Sequence, residues 1–136
     1  MKSKIETGAQ PIISEKAKGN MKKLDSMVEK LHEIEDFTDE LTQAYIVGVR
    51  EHMDNAIGLL SNSKDATEEI RQAAIEITSA GKFAEEHEFV PDVAIAFFET
   101  SKKLYNMIDD NANAKASEEL ADGARQHAKQ VYQLRE

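Results

Sequence analysis

The chain has 136 residues, neither cysteine nor tryptophan, and a formal net charge of −9 at pH 7. Without cysteine it can form no disulfide and use no thiolate chemistry, and this composition suits a reducing compartment, so we expect a cytoplasmic protein of a bacterial or phage-infected cell. Residues 1–35 carry a net charge of +1 and residues 36–136 a net charge of −10. Such an acidic body repels phosphate backbones, which disfavours nucleic-acid binding unless an oligomer gathers the sparse lysines.

The first 19 residues are predicted to form a flexible N-terminal arm. They contain Gly8, Pro11 and Gly19, and their apolar residues follow no sustained helical period. No long apolar run follows the early lysines, so a signal peptide is not expected. The longest apolar run, residues 93–98, is far too short to span a membrane, so we expect no membrane partner.

Residues 20–136 are predicted to form a single helical domain, an all-α bundle of four to five helices. The first helix covers residues 20–35, since Leu24, Met27 and Leu31 fall on one face. The second begins near Thr38 and ends within residues 61–63. The third covers about residues 65–86 and begins with a sequence spaced like a capping box at residues 65–68. Pro91 suits the first turn of a fourth helix, where no backbone N–H is needed.

The C-terminal part leaves two possibilities open. Residues 109–113 are polar and form either a loop between two helices or an interruption within one long C-terminal helix. In the second case residues 91–135 would make a single rod of about 68 Å at 1.5 Å per residue. Leu120, Ala124, Val131 and Leu134 give the last segment its apolar stripe in either case.

Small residues indicate how the helices associate. Ile70 and Ile77 share one helical stripe with three alanines, and alanine lets helix axes come close. We therefore predict a non-enzymatic helical assembly or adaptor protein that associates with itself or with a partner protein. The predicted interface residues are Ala73, Ala80, Ala84, Phe97, Phe98 and Leu104. On this hypothesis Phe98→Asp abolishes assembly and leaves most of the helicity intact.

No catalytic residue, metal ion or cofactor is expected. Glu29 and His32 have the Glu-x-x-His spacing of carboxylate-bridged di-metal bundles, but the required second motif is absent from the sequence. Asp109 begins a run that matches the first positions of a calcium loop. Position six of that loop is Ala114 and position twelve is Leu120, where the geometry requires glycine and glutamate.

One alternative is a histidine phosphotransfer-type signalling bundle with His52 as the phosphoacceptor. His52 lies on the second predicted helix, a position similar to that of the phosphorylated histidine in that family. The family has lysine three residues and glycine four residues after the histidine, whereas this chain has Asn55 and Ala56. Nothing local would therefore neutralise a phosphoryl group on His52.

A second alternative comes from residues 87–93, which precede a helix containing Asn106 and Ile108, and from the upstream Tyr45 and Arg50. Together these segments resemble the central helical hairpin of T4-type phage terminase small subunits, although the His-Pro-Arg turn of that family is not kept. The resemblance implies a phage DNA-packaging protein, an oligomeric ring that binds DNA and has no enzymatic activity. The nucleic-acid contacts would then come from Lys2, Lys4, Lys16, Lys18, Lys22 and Lys23.

Overall fold

The computed structural model describes residues 13–87 and 91–135, which form five α-helices and no β-strand. The prediction of an all-α bundle of four to five helices is confirmed. The helices are α1 (Glu15–Glu35), α2 (Glu40–Ser61), α3 (Thr67–His87), α4 (Pro91–Met107) and α5 (Asn111–Arg135).

Each helix packs mainly against its neighbours in sequence. The contacts between consecutive helices are extensive, whereas α1 and α4 touch only marginally. The short connections make neighbouring helices antiparallel. Helices α1 to α4 therefore form an up-and-down bundle that is open between its first and last members, and α5 packs along α4.

The core is built largely from alanine. Phe97, Phe98 and Leu104 are 0% exposed and fill the middle of the bundle from α4. Alanines on α3, α4 and α5 surround them and let the three helices approach closely; those buried to at least 95% are Ala73, Ala74, Ala80, Ala84, Ala94, Ala114, Ala121 and Ala124. The alanines thus confine the bulky core side chains mostly to α1, α2 and α4.

A chain of hydroxyl groups crosses this alanine-rich region. Thr78 of α3 donates to the carbonyl oxygen of Ala74 at 2.7 Å, and its Oγ1 lies 2.6 Å from Oγ of Ser101 on α4. Ser101 in turn lies 2.7 Å from Oγ of Ser117 on α5. Ser101 and Ser117 are almost completely buried, so these hydrogen bonds satisfy groups that would otherwise be costly to bury. They also link α3, α4 and α5 at one level.

Gly81 marks the closest approach of α3 to α4. A Cβ atom at this position would lie 2.5 Å from Cε1 and 2.8 Å from Cδ1 of Phe98. Real Cβ atoms do not come this close to a neighbour, and the Phe98 ring is enclosed by the core. Glycine is therefore needed at position 81 because of the space that Phe98 occupies.

The N-terminal boundary differs from the prediction. Helix α1 begins at Glu15, because Oγ of Ser14 caps it by accepting a hydrogen bond from the Ala17 amide at 3.0 Å. Gly19 lies within the helix and does not interrupt it. Residues 15–19, the last part of the predicted arm, therefore belong to α1. Residues 1–12 of the arm lie outside the described residues.

Two other predictions about helix ends are resolved by local hydrogen bonds. The expected capping box at residues 65–68 is replaced by Asp65, whose Oδ1 accepts from the amide and hydroxyl of Thr67 at 3.0 and 2.6 Å. The rod over residues 91–135 is wrong, since α4 ends at Met107. Asp109 has a left-handed φ of 58°, which breaks the helix, and Asp110 accepts from the Asn113 amide to start α5.

Gly81→Ala is expected to lower the free energy of unfolding by roughly 1 to 3 kcal/mol, because the added methyl group overlaps the enclosed Phe98 ring. The matched control is Gly58→Ala on α2, where the added Cβ meets no heavy atom within 4 Å. This control should gain up to about 1 kcal/mol from the higher helix propensity of alanine. Urea unfolding followed by circular dichroism measures both variants. An unchanged midpoint for Gly81→Ala would show that Phe98 can move away.

Candidate partner-binding site

The six predicted interface residues lie inside the chain's own core. Ala84 is 1% exposed, and the other five residues, Ala73, Ala80, Phe97, Phe98 and Leu104, are 0% exposed. The prediction of a contact surface at these positions is therefore corrected. Their helical spacing indicates a buried stripe, but it does not say whether another chain or another helix of the same chain covers it. Phe98→Asp would place a charge in the core and destabilise the fold itself.

The surface instead offers a cleft where α1 and α4 separate. Its volume is about 960 Å³. Apolar atoms of Met27, Ala96 and Met107 line it, together with the polar side chains of Asn20, Ser26, Thr100 and Asn106. Five lysines also line this cleft: Lys16, Lys22, Lys23 and Lys30 from α1 and Lys103 from α4. We call it the α1–α4 cleft.

The positive charge of the α1–α4 cleft is largely uncompensated. Across residues 13–87 and 91–135, no carboxylate lies within 4.0 Å of four of its lysines, Lys22, Lys23, Lys30 and Lys103, and Lys16 reaches Asp109 only at 4.0 Å. Glu99 is the one carboxylate among the lining residues, and it forms an ion pair with Arg125 of α5. A concentrated basic site thus exists on a protein whose net charge is −9.

Helical periodicity explains why these lysines face one another. Positions 16, 19, 23, 26 and 30 recur every three or four residues along α1, as do positions 96, 99, 103 and 106 along α4. The buried face of α1, which contains Leu24 and Leu31, lies beside this polar face. The lysines of α1 are therefore held at the rim of the bundle while their helix is anchored against α2.

The cleft contains part of the predicted nucleic-acid set. Lys16, Lys22 and Lys23 line it, whereas Lys18 forms a surface pair with Glu15 at 3.6 Å. Lys2 and Lys4 lie outside the described residues. Sequence reasoning missed Lys30 and Lys103. The spacing of Lys16, Lys23 and Lys30 by sevens could have revealed Lys30, but nothing in the sequence pairs Lys103 with α1.

His52 forms a bridge between α2 and α3. Its Nδ1 donates to Oε2 of Glu69 at 2.6 Å, and its Nε2 lies 2.7 Å from Oε2 of Glu76. Gly48 makes room for this arrangement, because a Cβ atom there would lie 2.5 Å from Oε1 of Glu76. The hydrogen bond with Glu69 raises the pKa of His52 above its usual value; partial burial opposes this shift, and the charges of both carboxylates add to it.

This bridge bears on two chemical roles of His52. Glu69 and Glu76 bind opposite ring nitrogens, so the three side chains do not converge on one metal position, and the described residues hold no group of three or more His, Cys, Asp and Glu suited to a metal ion. A phosphoacceptor needs an unprotonated ring nitrogen facing solvent. Both nitrogens of His52 face carboxylates, and the phosphoacceptor hypothesis stays a prediction without structural support.

A second surface feature lies at the turn between α1 and α2. Phe37 is 82% exposed and Leu41 is 63% exposed. Four acidic residues with exposed side chains lie within four sequence positions of Phe37, namely Glu33, Asp36, Asp39 and Glu40. We call these six residues the acidic tip.

Hydrogen bonds hold the turn under the acidic tip in one conformation. Thr38 Oγ1 donates to the carbonyl oxygen of Glu35 at 3.0 Å. The side-chain amide of Gln43 donates to the carbonyl oxygens of Glu35 and Thr38 at 2.9 and 3.1 Å. Asp39 caps α2 by accepting from the Thr42 amide at 2.8 Å. Phe37 is therefore presented to solvent from an ordered turn.

Comparison with known proteins leaves the function to be argued from this geometry. No protein-family model, curated protein or solved structure shows a match to the chain. The resemblance to terminase small subunits therefore stays a prediction, and residues 88–90 of the segment that carries it lie outside the described residues. Within the described part of the chain, no helix is both long and apolar enough to span a membrane.

His52→Gln is expected to lower the free energy of unfolding by about 1 to 2 kcal/mol near pH 6, because a charged hydrogen-bonded bridge between α2 and α3 is lost. The folded state has the higher His52 pKa, so this stabilisation is fully present below the unfolded pKa of about 6.5 and is lost as the pH rises through the folded value. The difference between the two proteins should therefore shrink as the pH rises above about 6.5.

Urea unfolding at a series of pH values measures this effect. His127→Gln is the matched control, since His127 is exposed on α5 and forms no ion pair among the described residues. A difference between wild type and His52→Gln that does not change with pH would show that the bridge does not depend on the imidazolium.

Proposed function

We propose that this protein is a non-enzymatic adaptor that binds an acidic segment of a partner protein in the α1–α4 cleft. The observation that carries the proposal is the group of four lysines, Lys22, Lys23, Lys30 and Lys103, that line one cleft and have no carboxylate partner within residues 13–87 and 91–135. The lysines repel one another in the unbound protein, and a bound anionic group would reduce this repulsion. The acidic remainder of the chain confines this attraction to the cleft.

The size and lining of the cleft support a protein segment as the partner. Lys16 and Lys30 are separated by about 21 Å along α1, the length of some six extended residues or 14 helical ones. Met27, Ala96 and Met107 offer apolar contact between the lysines, and methionine adapts to differently shaped side chains. A short segment that combines acidic and apolar side chains would match both components.

Two observations speak against a long polyanion in the same cleft. Neither arginine nor an aromatic residue is among the lining residues, so the cleft lacks the groups that usually stack on bases or bind phosphate bidentately. A nucleic-acid strand longer than the cleft would also continue over a body with net charge −10. An acidic protein segment can end within the basic region.

The lining residues also support binding without catalysis. Thr100 Oγ1 donates to the carbonyl oxygen of Ala96 at 2.8 Å and has no adjacent base. The lining contains no histidine, and its carboxylate, Glu99, is neutralised by Arg125. An activated nucleophile requires a base within hydrogen-bond reach. The lining residues therefore offer charged and apolar contacts to a partner, but they do not include a nucleophile with a base within hydrogen-bond reach.

Nucleic-acid binding is the second candidate function, favoured by one observation. Three of the six lysines that the sequence assigned to nucleic acid, Lys16, Lys22 and Lys23, line the same cleft. An oligomer could place several such clefts next to one another and so extend the basic surface. The experiment below separates this candidate from the adaptor.

Charge reversal in the cleft tests the proposal. The variant Lys22→Glu/Lys103→Glu should bind a fluorescein-labelled peptide of alternating Glu and Leu, 12 residues long, at least roughly tenfold more weakly than the wild type, because it places two negative charges against the peptide. The matched control is Lys115→Glu/Lys129→Glu, which changes the net charge equally at two exposed positions on α5 outside the cleft. Fluorescence anisotropy at low and high salt measures both variants.

Equal loss of binding in both variants would mean that net charge, and not the cleft, attracts the peptide, and this would overturn the proposal. Labelled single-stranded DNA of similar length serves as the second probe. Binding of DNA but not of the peptide, with the same dependence on Lys22 and Lys103, would replace the adaptor with the nucleic-acid candidate.

A further inference from the structure

We infer that the acidic segment bound by the α1–α4 cleft is the acidic tip of a second copy of this chain. This inference rests on the proposed function, since it requires that the cleft binds acidic segments, and it identifies the partner. The acidic tip lies at the end of α1 and the start of α2, and the cleft runs between α1 and α4. Both are exposed in the described structure.

The charges of the two surfaces are complementary. The acidic tip contains four acidic residues with exposed side chains, Glu33, Asp36, Asp39 and Glu40, and residues 33–41 include no lysine or arginine. Glu35 of the same range forms an ion pair with Arg50 of α2. The cleft in turn has four lysines without a carboxylate partner among the described residues, so the two surfaces carry opposite charge.

The apolar groups of the two surfaces are also complementary. Phe37 and Leu41 are exposed apolar residues of the acidic tip, while Met27, Ala96 and Met107 are apolar residues that line the cleft. Contact of Phe37 with a methionine of the cleft would bury an aromatic ring and allow favourable sulfur–aromatic contacts. A central aromatic anchor surrounded by charged groups is the usual arrangement of a strong protein–protein contact.

The ordered turn lowers the cost of this docking. Thr38, Asp39 and Gln43 fix the backbone around Phe37 by hydrogen bonds in the unbound chain. Association then orders few backbone dihedral angles, and more of the contact free energy appears as affinity. The α1 helix that carries the lysines is anchored by Leu24 and Leu31, so the cleft is also formed before binding.

Docking of a tip into a cleft gives a heterologous contact. Each copy would use its tip on one neighbour and offer its cleft to another, so assembly continues until it closes into a ring or extends as a filament. An assembly of this kind grows beyond two copies, which distinguishes it from an isologous dimer. The two different surfaces of the contact also provide the experiment.

The first measurement is the mass of the full chain by light scattering across a dilution series. We expect the wild type to exceed the monomer mass of 15.2 kDa at high concentration and to return to it on dilution or in high salt. The tip variant Phe37→Ser/Leu41→Ser and the cleft variant Lys22→Glu/Lys103→Glu should each remain monomeric. The controls Ile75→Ser, at an exposed apolar residue of α3, and Lys115→Glu/Lys129→Glu should assemble like the wild type.

Mixing the two defective variants tests whether the tip docks into the cleft. The tip variant retains a working cleft, and the cleft variant retains a working tip, so the mixture should form one-to-one complexes of about twice the monomer mass that cannot extend. A contact of tip with tip, or of cleft with cleft, would give no complex between the two variants. Circular dichroism of both variants confirms that they fold, which is expected because all four substituted side chains lie on the surface.

The outcomes separate this inference from the function on which it rests. A wild type that stays monomeric throughout, while its cleft still binds the Glu/Leu peptide, would overturn the second copy as the partner and leave the adaptor function in place. Loss of peptide binding to the folded tip variant would overturn both the adaptor function of the cleft and the second copy as its partner. Assembly of the mixture with no effect of Lys22→Glu/Lys103→Glu in the peptide assay would remove the cleft as the tip's docking site.

Discussion

The close approach of α3, α4 and α5 is the constraint on which the rest of this structure depends. Glycine at position 81 admits the Phe98 ring, and the hydroxyl groups of Thr78, Ser101 and Ser117 replace bulkier side chains between the helices. Helix α4 packs extensively against α3 and α5, so only a small part of its surface contacts α1. Helix α1 is therefore attached through α2, and the basic cleft opens along its other side.

Polar bridges on the surface stabilise this arrangement without filling the cleft. His52 joins α2 to α3 through two carboxylates, and Arg50 joins α2 to α1 through Glu35, with its Nη1 lying 3.1 Å from Nδ1 of His32. Partly exposed bridges of this kind contribute modest free energies. None of the carboxylates in these two bridges is among the lining residues of the cleft.

The sequence predicts the helices better than the surfaces between them. Periodicity located the second and third helices and most of the first, and Pro91 fixed the start of α4, because these signals are local. The separation of α5 from α4 was left open by the sequence. Asp109 has a left-handed backbone conformation that ends α4. The polar run at 109–113 is compatible with this conformation, but it does not predict it. The burial of Phe97 and Phe98 by the same chain, and the meeting of Lys103 with the lysines of α1, depend on which helices become neighbours. Periodicity carries no such information.

The ion pair between Arg125 and Glu99 ties the last helix to the electrostatic field of the cleft. Arg125 also binds Asp122, and the hydrogen bond with Glu99 raises the pKa of the guanidinium, which stays charged at every physiological pH. If α5 separated from α4, Glu99 would lose its counter-charge and would present a carboxylate to Lys103 and the neighbouring lysines. The C-terminal helix thereby influences the charge of a cleft to which it contributes no lining residue.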